Sequence, residues 1–147
     1  MNSFLKWPLL TLSLIILSCS SKKNTQTSYE NNELLLGSEW SLSSWTLNGQ
    51  YHPMNNSEEI MLSFDTSLSR AQGNNGCNQF FGDFSIQKDK LSIQNVGATK
   101  KYCGEESAKT EIEFIQFIAD CSISSVKNEE LVLTKDKEKL IFILIKQ

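Results

Sequence analysis

Short stretches of alternating apolar and polar residues recur along most of the chain, and they constrain the fold more than any other feature. Ile60 to Phe64 (IMLSF) and Phe80 to Ile86 both place apolar residues at every second position. That period is typical of half-buried β-strands. The same pattern continues after short polar turns in three later stretches: Leu91 to Ile93, Leu131 to Leu133 and Leu140 to Ile145. Short strands joined by tight polar connections predict an antiparallel meander.

The first strand carries an irregularity and ends in a turn. Glu39 to Leu47 (EWSLSSWTL) alternates in both halves, but the step from Leu42 to Trp45 breaks the period. Such a break predicts a β-bulge or a local twist. Asn48-Gly49 follows directly and is a turn signal.

One segment has helical rather than strand spacing. From Ser107 to Asp120, Ala108, Ile112, Ile115 and Ala119 recur at the helical period, and Ser107 is a candidate N-cap. A helix with such a stripe could bind a partner in a groove or pack on its own sheet, and packing on the sheet is the commoner arrangement.

The predicted core combines six apolar residues from the strand and helix patterns, namely Trp40, Phe80, Phe84, Ile112, Ile115 and Phe142.

The amino-terminal residues have the pattern of an export signal. Pro8 to Leu17 is almost wholly apolar but shorter than the roughly 20 residues that span a bilayer. Ile16-Leu17-Ser18-Cys19 resembles the lipobox of bacterial lipoproteins, which implies a signal peptide over residues 1–18 and lipidation of Cys19. Residues 19–33 are then the lipidated cysteine and a polar tether. Ser20, rather than Asp, after the cysteine resembles lipoproteins sorted to the outer membrane, facing the periplasm.

Composition argues against several kinds of site. The net charge is −3 and the lysines are spread among acidic residues, which disfavours nucleic-acid binding. His52 is the sole histidine of the sequence and no Cys-x-x-Cys pair exists, so neither a metal site nor a cofactor is expected. An exported thiol or hydrolytic enzyme using Cys77 and His52 remains the alternative, although one distant histidine makes a weak case for an activated cysteine.

Several motifs in chain order resemble the META domain family, which includes HslJ-like heat-shock lipoproteins. The resemblance covers about residues 34–145, so residues 34–147 are assigned to one META-like domain. Lys101 departs from the pattern where relatives often carry an apolar residue. It implies an α+β domain: a curved antiparallel sheet, a partly barrel-like meander, with one packed amphipathic helix. It implies no catalytic residue and no cofactor, and links relatives to stress tolerance. The motifs that carry it are Leu36-Gly37, Trp40, Leu42, Gly76-Cys77-Asn78, Phe80, Gly82, Phe84, Thr99 and Cys103.

On this basis we expect a non-enzymatic envelope lipoprotein of the META or HslJ-like type. It would be held to a membrane through its lipid anchor and would bind an envelope protein or another envelope component.

The remaining cysteines allow a disulfide, because an exported protein meets an oxidising compartment. With Cys19 lipidated, Cys77, Cys103 and Cys121 remain, and one must be left over. A helix of some 13 residues is about 20 Å long, whereas bridged Cα atoms lie within about 7 Å, which disfavours Cys103 with Cys121. Cys77 and Cys103 both lie in loop-like stretches that flank strands, where antiparallel packing can bring them together. We predict a Cys77–Cys103 bond and a buried free Cys121. Gly76 and Gly82 are explained by backbone demands, namely positive φ and close approach of a neighbouring strand.

Overall fold

The structure is a computed structural model, and it describes residues 34–54 and 58–146. Residues 1–33, with the predicted signal, Cys19 and the tether, lie outside the described residues. Within the described ranges the chain forms nine strands and one long helix. The strands are β1 (Glu39–Leu47), β2 (Gln50–Tyr51), β3 (Ile60–Asp65), β4 (Arg70–Asn75), β5 (Gln79–Gln87), β6 (Lys90–Ala98), β7 (Cys121–Lys127), β8 (Glu130–Lys135) and β9 (Glu138–Lys146), and the helix is α1 (Glu105–Ile118).

The strands form one antiparallel sheet that closes on itself. Its order is β2-β1-β3-β4-β5-β6-β7-β8-β9, and β1 also pairs with β9. Eight strands therefore form a barrel, with the short β2 as an extra strand beside β1. The α+β class and the curved, partly barrel-like antiparallel sheet predicted from the sequence are confirmed.

The local features predicted for β1 are also confirmed. The pairing of β1 with β9 shifts register between Leu42 and Ser44, at the point where the apolar alternation breaks. Asn48 and Gly49 both have positive φ, of 54° and 76°. Positive φ at both central residues is the geometry of the tight hairpin turn that Asn-Gly favours.

Two strands have no apolar alternation that would have identified them. β4 has the sequence RAQGNN and β7 the sequence CSISSVK. In β4 the inward positions are held by Ala71, Gly73 and Asn75, so small and polar residues replace the expected apolar ones. The strand forms because β3 and β5 pair with it on both sides along nearly its whole length.

Aromatic side chains from strands and helix meet in the barrel interior. The ring of Phe114 in α1 lies 5.7 Å from Phe80 in β5, 6.4 Å from Trp45 in β1 and 6.5 Å from Phe142 in β9, between centroids. These strands belong to different parts of the barrel. Contacts of Phe114 with all three of them hold the helix in place. The helix is thus packed on the sheet, as expected.

The buried face of the helix is rotated by about one residue from the apolar stripe predicted from the sequence. Ile112, expected in the core, is 58% exposed, and Ile115 is only partly buried against the core. Phe84 of β5, also expected in the core, is likewise only partly buried. The buried face instead begins with the small polar residues Ser107 and Thr110. Thr110 Oγ1 donates to the carbonyl of Glu106 at 3.1 Å, which lets a hydroxyl residue occupy a buried position. The buried residues of the helix are Ser107, Thr110, Phe114, Phe117 and Ile118.

The helix also begins earlier than predicted, and Ser107 is not its N-cap. The N-cap is Gly104, which has a φ of 97° and makes no side-chain capping bond. Glu105 and Glu106 follow in the first turn, where carboxylates are stabilised by the positive end of the helix dipole. Gly104, with its positive φ, is the only residue between Cys103 and the first residue of the helix. The disulfide therefore lies directly before the helix.

Candidate functional site

The Gly-Cys-Asn motif forms the turn between β4 and β5, and a disulfide joins it to the segment before α1. Cys77 is bonded to Cys103, with Cα atoms 6.1 Å apart. This is the pairing expected from the sequence, and the distance lies within the range of ordinary disulfides. Cys77 is buried, and Gly76 before it has a φ of 103°, which favours glycine. The thiol of Cys77 is therefore consumed in a structural bond.

Asn78, the third motif residue, is a buried hydrogen-bonding centre. Its Nδ2 group donates to the carbonyl of Lys101 at 3.2 Å and to Glu111 Oε1 at 2.8 Å. Its Oδ1 atom accepts from Thr99 Oγ1 at 2.8 Å and from the backbone amide of Lys101 at 2.7 Å. Two donors and two acceptor sites are the full capacity of an asparagine side chain. Asn78 thus ties the turn to the segment carrying Cys103 and to the helix.

Thr99 and Asn75 complete this cluster. The hydroxyl of Thr99 also accepts from the backbone amide of Gln79 at 3.2 Å. Asn75 Oδ1 accepts from the amide of Asn78 at 3.0 Å. Lys101 contributes through its backbone, while its Nζ points outward to Glu58 at 2.7 Å. That contact, followed by a bond from Asn74, lowers the pKa of the Glu58 carboxyl. The Lys101 ammonium group therefore lies at the surface, which explains how a lysine fits where the family resemblance led us to expect an apolar residue.

Replacing Asn78 by Ala tests whether the cluster is structural. Asn78→Ala leaves buried partners of the amide without hydrogen bonds, and we expect the free energy of unfolding to fall by about 3 kcal/mol. Chemical denaturation of the purified variant measures the change. Gln87→Ala, at an exposed position of β5, the strand that follows Asn78, is the control and should change stability by less than about 0.5 kcal/mol. Equal stability of the two variants would contradict the role given to Asn78.

Gly82 occupies a position where β5 and β6 approach closely. A Cβ atom there would lie 2.7 Å from the carbonyl oxygen of Gln94 and 2.9 Å from a methyl carbon of Ile93. The pairing of β5 with β6 shifts register beside it, between Phe81 and Asp83. Gly82 therefore has the close-approach role expected from the sequence.

His52 has a carboxylate partner and does not meet a free cysteine. Its Nε2 atom lies 3.0 Å from Glu113 Oε2, and its ring lies 4.6 Å from that of Trp45, between centroids. Lys109 Nζ lies 3.8 Å from the other oxygen of Glu113. These contacts fasten the loop after β2 to α1. The arrangement of Cys77 and His52 as nucleophile and base, which the alternative function needs, is absent from the described residues.

Cys121 is free and buried, as expected. Burial, and then the neighbouring Asp120, raise the pKa of its thiol to about 12. A thiol with so high a pKa carries almost no thiolate at neutral pH and is a poor nucleophile. Nor do the described ranges contain a cluster of three or more residues able to hold a metal ion.

The outer face of the sheet has a groove that sequence reasoning missed. It has a volume of about 440 Å³ and crosses β1, β3, β4 and β5. Its walls combine carboxamides, a hydroxyl and a carboxylate with two apolar side chains. Only the cross-strand register brings these residues together, so no local motif indicated them. The lining residues are Glu39, Met61, Leu62, Ser63, Gln72, Gly73, Asn74, Gln79, Phe80 and Phe81.

Comparison with known proteins places the chain in a family. An NMR structure of a protein from Burkholderia xenovorans is similar with a TM-score of 0.67 and 22% identity, covering 80% of this chain and 88% of that one. A second NMR structure has a TM-score of 0.59 and 18% identity over 76% and 92%. At these identities the likeness shows the fold alone. No curated protein sequence matches the chain. The META domain pattern matches residues 33–147, and the chain therefore belongs to the META domain family.

Proposed function

We propose that the protein is a lipid-anchored binding protein of the cell envelope, with no catalytic role. Its acyl chains on Cys19 would hold it to the outer membrane, and the domain would face the periplasm and bind an envelope protein or another envelope component. The membrane is then its constant partner, through the lipid anchor. A function of this kind fits the stress tolerance to which the family resemblance points.

The main support for the proposal is that the two side chains an enzyme would need, Cys77 and His52, are both engaged in contacts within the fold. Cys77 is bonded to Cys103, and His52 is paired with Glu113. A thiol enzyme needs a free, activated cysteine beside its base. The motif that could have been catalytic instead has a structural explanation at each of its residues, which favours a binding protein over the enzyme alternative.

The anchor is supported by the sequence before the domain. The described residues include no helix long and apolar enough to cross a membrane. The lipobox-like Leu17-Ser18-Cys19 supplies a different means of attachment, because acyl chains on one cysteine give stable anchoring when more than one chain is added.

Replacing Cys19 tests this proposal. Cys19→Ser removes the acceptor sulfur, and we expect the protein to leave the membrane fraction or to accumulate as unprocessed precursor. Fractionation and mass spectrometry of the amino-terminal peptide measure both outcomes. Cys121→Ser, which alters a cysteine inside the domain, is the control and should keep the lipid and the membrane fraction. An unmodified Cys19 in a membrane-bound wild-type protein would contradict the proposal.

A further inference from the structure

The groove on the outer face is built by the backbone of β4. A Cβ atom at Gly73 would lie 1.9 Å from the carbonyl oxygen of Met61, so only glycine permits this approach of β4 to β3. Gly73 pairs with Leu62 on one side and with Phe80 on the other, and these three residues form the floor of the groove. The groove is therefore a feature of the paired backbone, not of a loop.

Two neighbouring rows of side chains form its walls. Glu39, Ser63, Gln72 and Phe81 lie side by side in one cross-strand row. The next row consists of Met61, Asn74 and Gln79. Each row spans several strands, so the polar groups face a common space from positions fixed by the sheet.

The chemistry of the walls selects among ligand classes. Three carboxamides and a hydroxyl can each donate and accept hydrogen bonds. The lining contains one carboxylate, Glu39, and no lysine or arginine, and the Arg70 guanidinium outside it lies over the Phe81 ring, 5.1 Å from its centroid. A groove whose own charged group is a carboxylate disfavours phosphates and other anions. Met61 and Phe81 add apolar surface: Phe81 is 48% exposed, although its ring also lies against Gly97 and beneath the Arg70 guanidinium. Sugars present this same combination, with hydroxyls that donate and accept beside apolar faces of C–H groups.

Part of the site is already ordered. Asn74 Oδ1 accepts from the amide of Gly76 at 2.8 Å, and its Nδ2 group donates to Glu58. The side chain is thus held in one orientation by the same turn that carries Cys77. Groups that are fixed before binding lose less entropy when a ligand arrives.

An extended peptide fits the groove less well than a compact ligand. Peptides that add a strand to a sheet need a strand edge with unpaired backbone groups. At the groove β3 pairs with β1 and β4, β4 with β3 and β5, and β5 with β4 and β6. Recognition there must come from side chains, and the volume of about 440 Å³ lies in the range of about 300–1,000 Å³ that is usual for small-ligand sites.

We propose that this groove is a binding site for a neutral saccharide, recognised by Gln72, Gln79 and Glu39. The inference deepens the proposed binding function and rests on it, because it names the chemical class of an envelope component. Gln72 and Gln79 bond to sugar hydroxyls, and Met61 and the exposed part of Phe81 pack against the apolar face of the sugar ring.

Titration with three neutral trisaccharides tests the inference. The probes are N,N′,N″-triacetylchitotriose, cellotriose and maltotriose, added to the ¹⁵N-labelled full-length chain in a detergent without a sugar headgroup. We expect at least one probe to give saturable NMR shifts at Ser63, Gln72 and Gln79. Gln79→Ala should weaken that binding by about fivefold, or about 1 kcal/mol, because it removes one hydrogen bond to the sugar.

Two further variants control the experiment. Gln87→Ala makes the same substitution at an exposed position outside the groove in the same strand, and it should leave the affinity within about twofold of wild type. Ser63→Trp fills the groove and should abolish binding while circular dichroism and thermal unfolding show an intact fold. Absence of saturable binding by all three probes, shifts confined to another surface, or equal effects of Gln79→Ala and Gln87→Ala would overturn the saccharide site.

The outcomes separate this inference from the function on which it rests. A chain acylated at Cys19 and bound to membranes, but indifferent to all three probes, overturns the saccharide site and leaves the lipid anchor standing. A chain that binds a probe but carries no lipid on Cys19 overturns the anchor and leaves the groove as a saccharide site.

Discussion

Phe114→Ala is expected to lower the free energy of unfolding by about 3–5 kcal/mol, the usual cost of removing a buried phenylalanine ring. Phe114 is fully buried and lies among the rings of Trp45, Phe80 and Phe142. Its removal leaves a cavity where the helix joins strands from different parts of the barrel. Chemical denaturation measures the change.

Ile112→Ala is the matched control for Phe114→Ala. Ile112 lies in the same helix but is 58% exposed, so the same kind of truncation should cost less than about 1 kcal/mol. The comparison of the two variants also shows which face of the helix, that of Phe114 or that of Ile112, packs in the core. A larger cost at Ile112 than at Phe114 would contradict the packing of the helix described above.

Loss of the disulfide is expected to have the second-largest effect. Cys77 and Cys103 are 26 residues apart, and closing a loop of that length contributes about 3.5 kcal/mol in the chain-entropy model. The double variant Cys77→Ser/Cys103→Ser should therefore unfold at a clearly lower denaturant concentration than wild type.

Two measurements make this second prediction decisive. Reduction of the wild-type protein should lower its stability by a similar amount and should leave the double variant unchanged. Native alkylation should label no cysteine of the oxidised domain, because Cys121 is buried and its pKa is raised to about 12. A double variant as stable as wild type, or rapid native labelling of Cys77, would contradict the structural role of the bond.

Features that depend on near neighbours in the chain were predictable from the sequence. The alternation of Ile60, Leu62 and Phe64 predicts β3, and all three residues are buried. The broken period between Leu42 and Trp45 predicts the bulge in β1, because one extra residue is visible as a change of phase.

Features that depend on pairing between distant segments were not predictable in the same way. Gly73 belongs to a polar stretch, and its strand exists because β3 and β5 flank it. The helix face was misassigned because Ser107 and Thr110 are buried although both are polar, and a search for apolar periodicity does not detect them. Thr110 tolerates burial because its hydroxyl donates to the carbonyl of Glu106. The groove brings Glu39 within reach of Phe81 through the register of four strands, and no local signal records such a row.

The central claim is that Cys77 and Asn78 have a structural role in an exported, lipid-anchored domain. Non-reducing peptide mapping of the protein isolated from membranes tests it most directly, since a single map reports the state of all four cysteines. The claim predicts a peptide joining Cys77 to Cys103, a free Cys121 that is alkylated only after denaturation, and a lipid-modified amino-terminal Cys19. A map with Cys77 as a free thiol, with Cys121 in a disulfide, or with an unmodified Cys19 would contradict it.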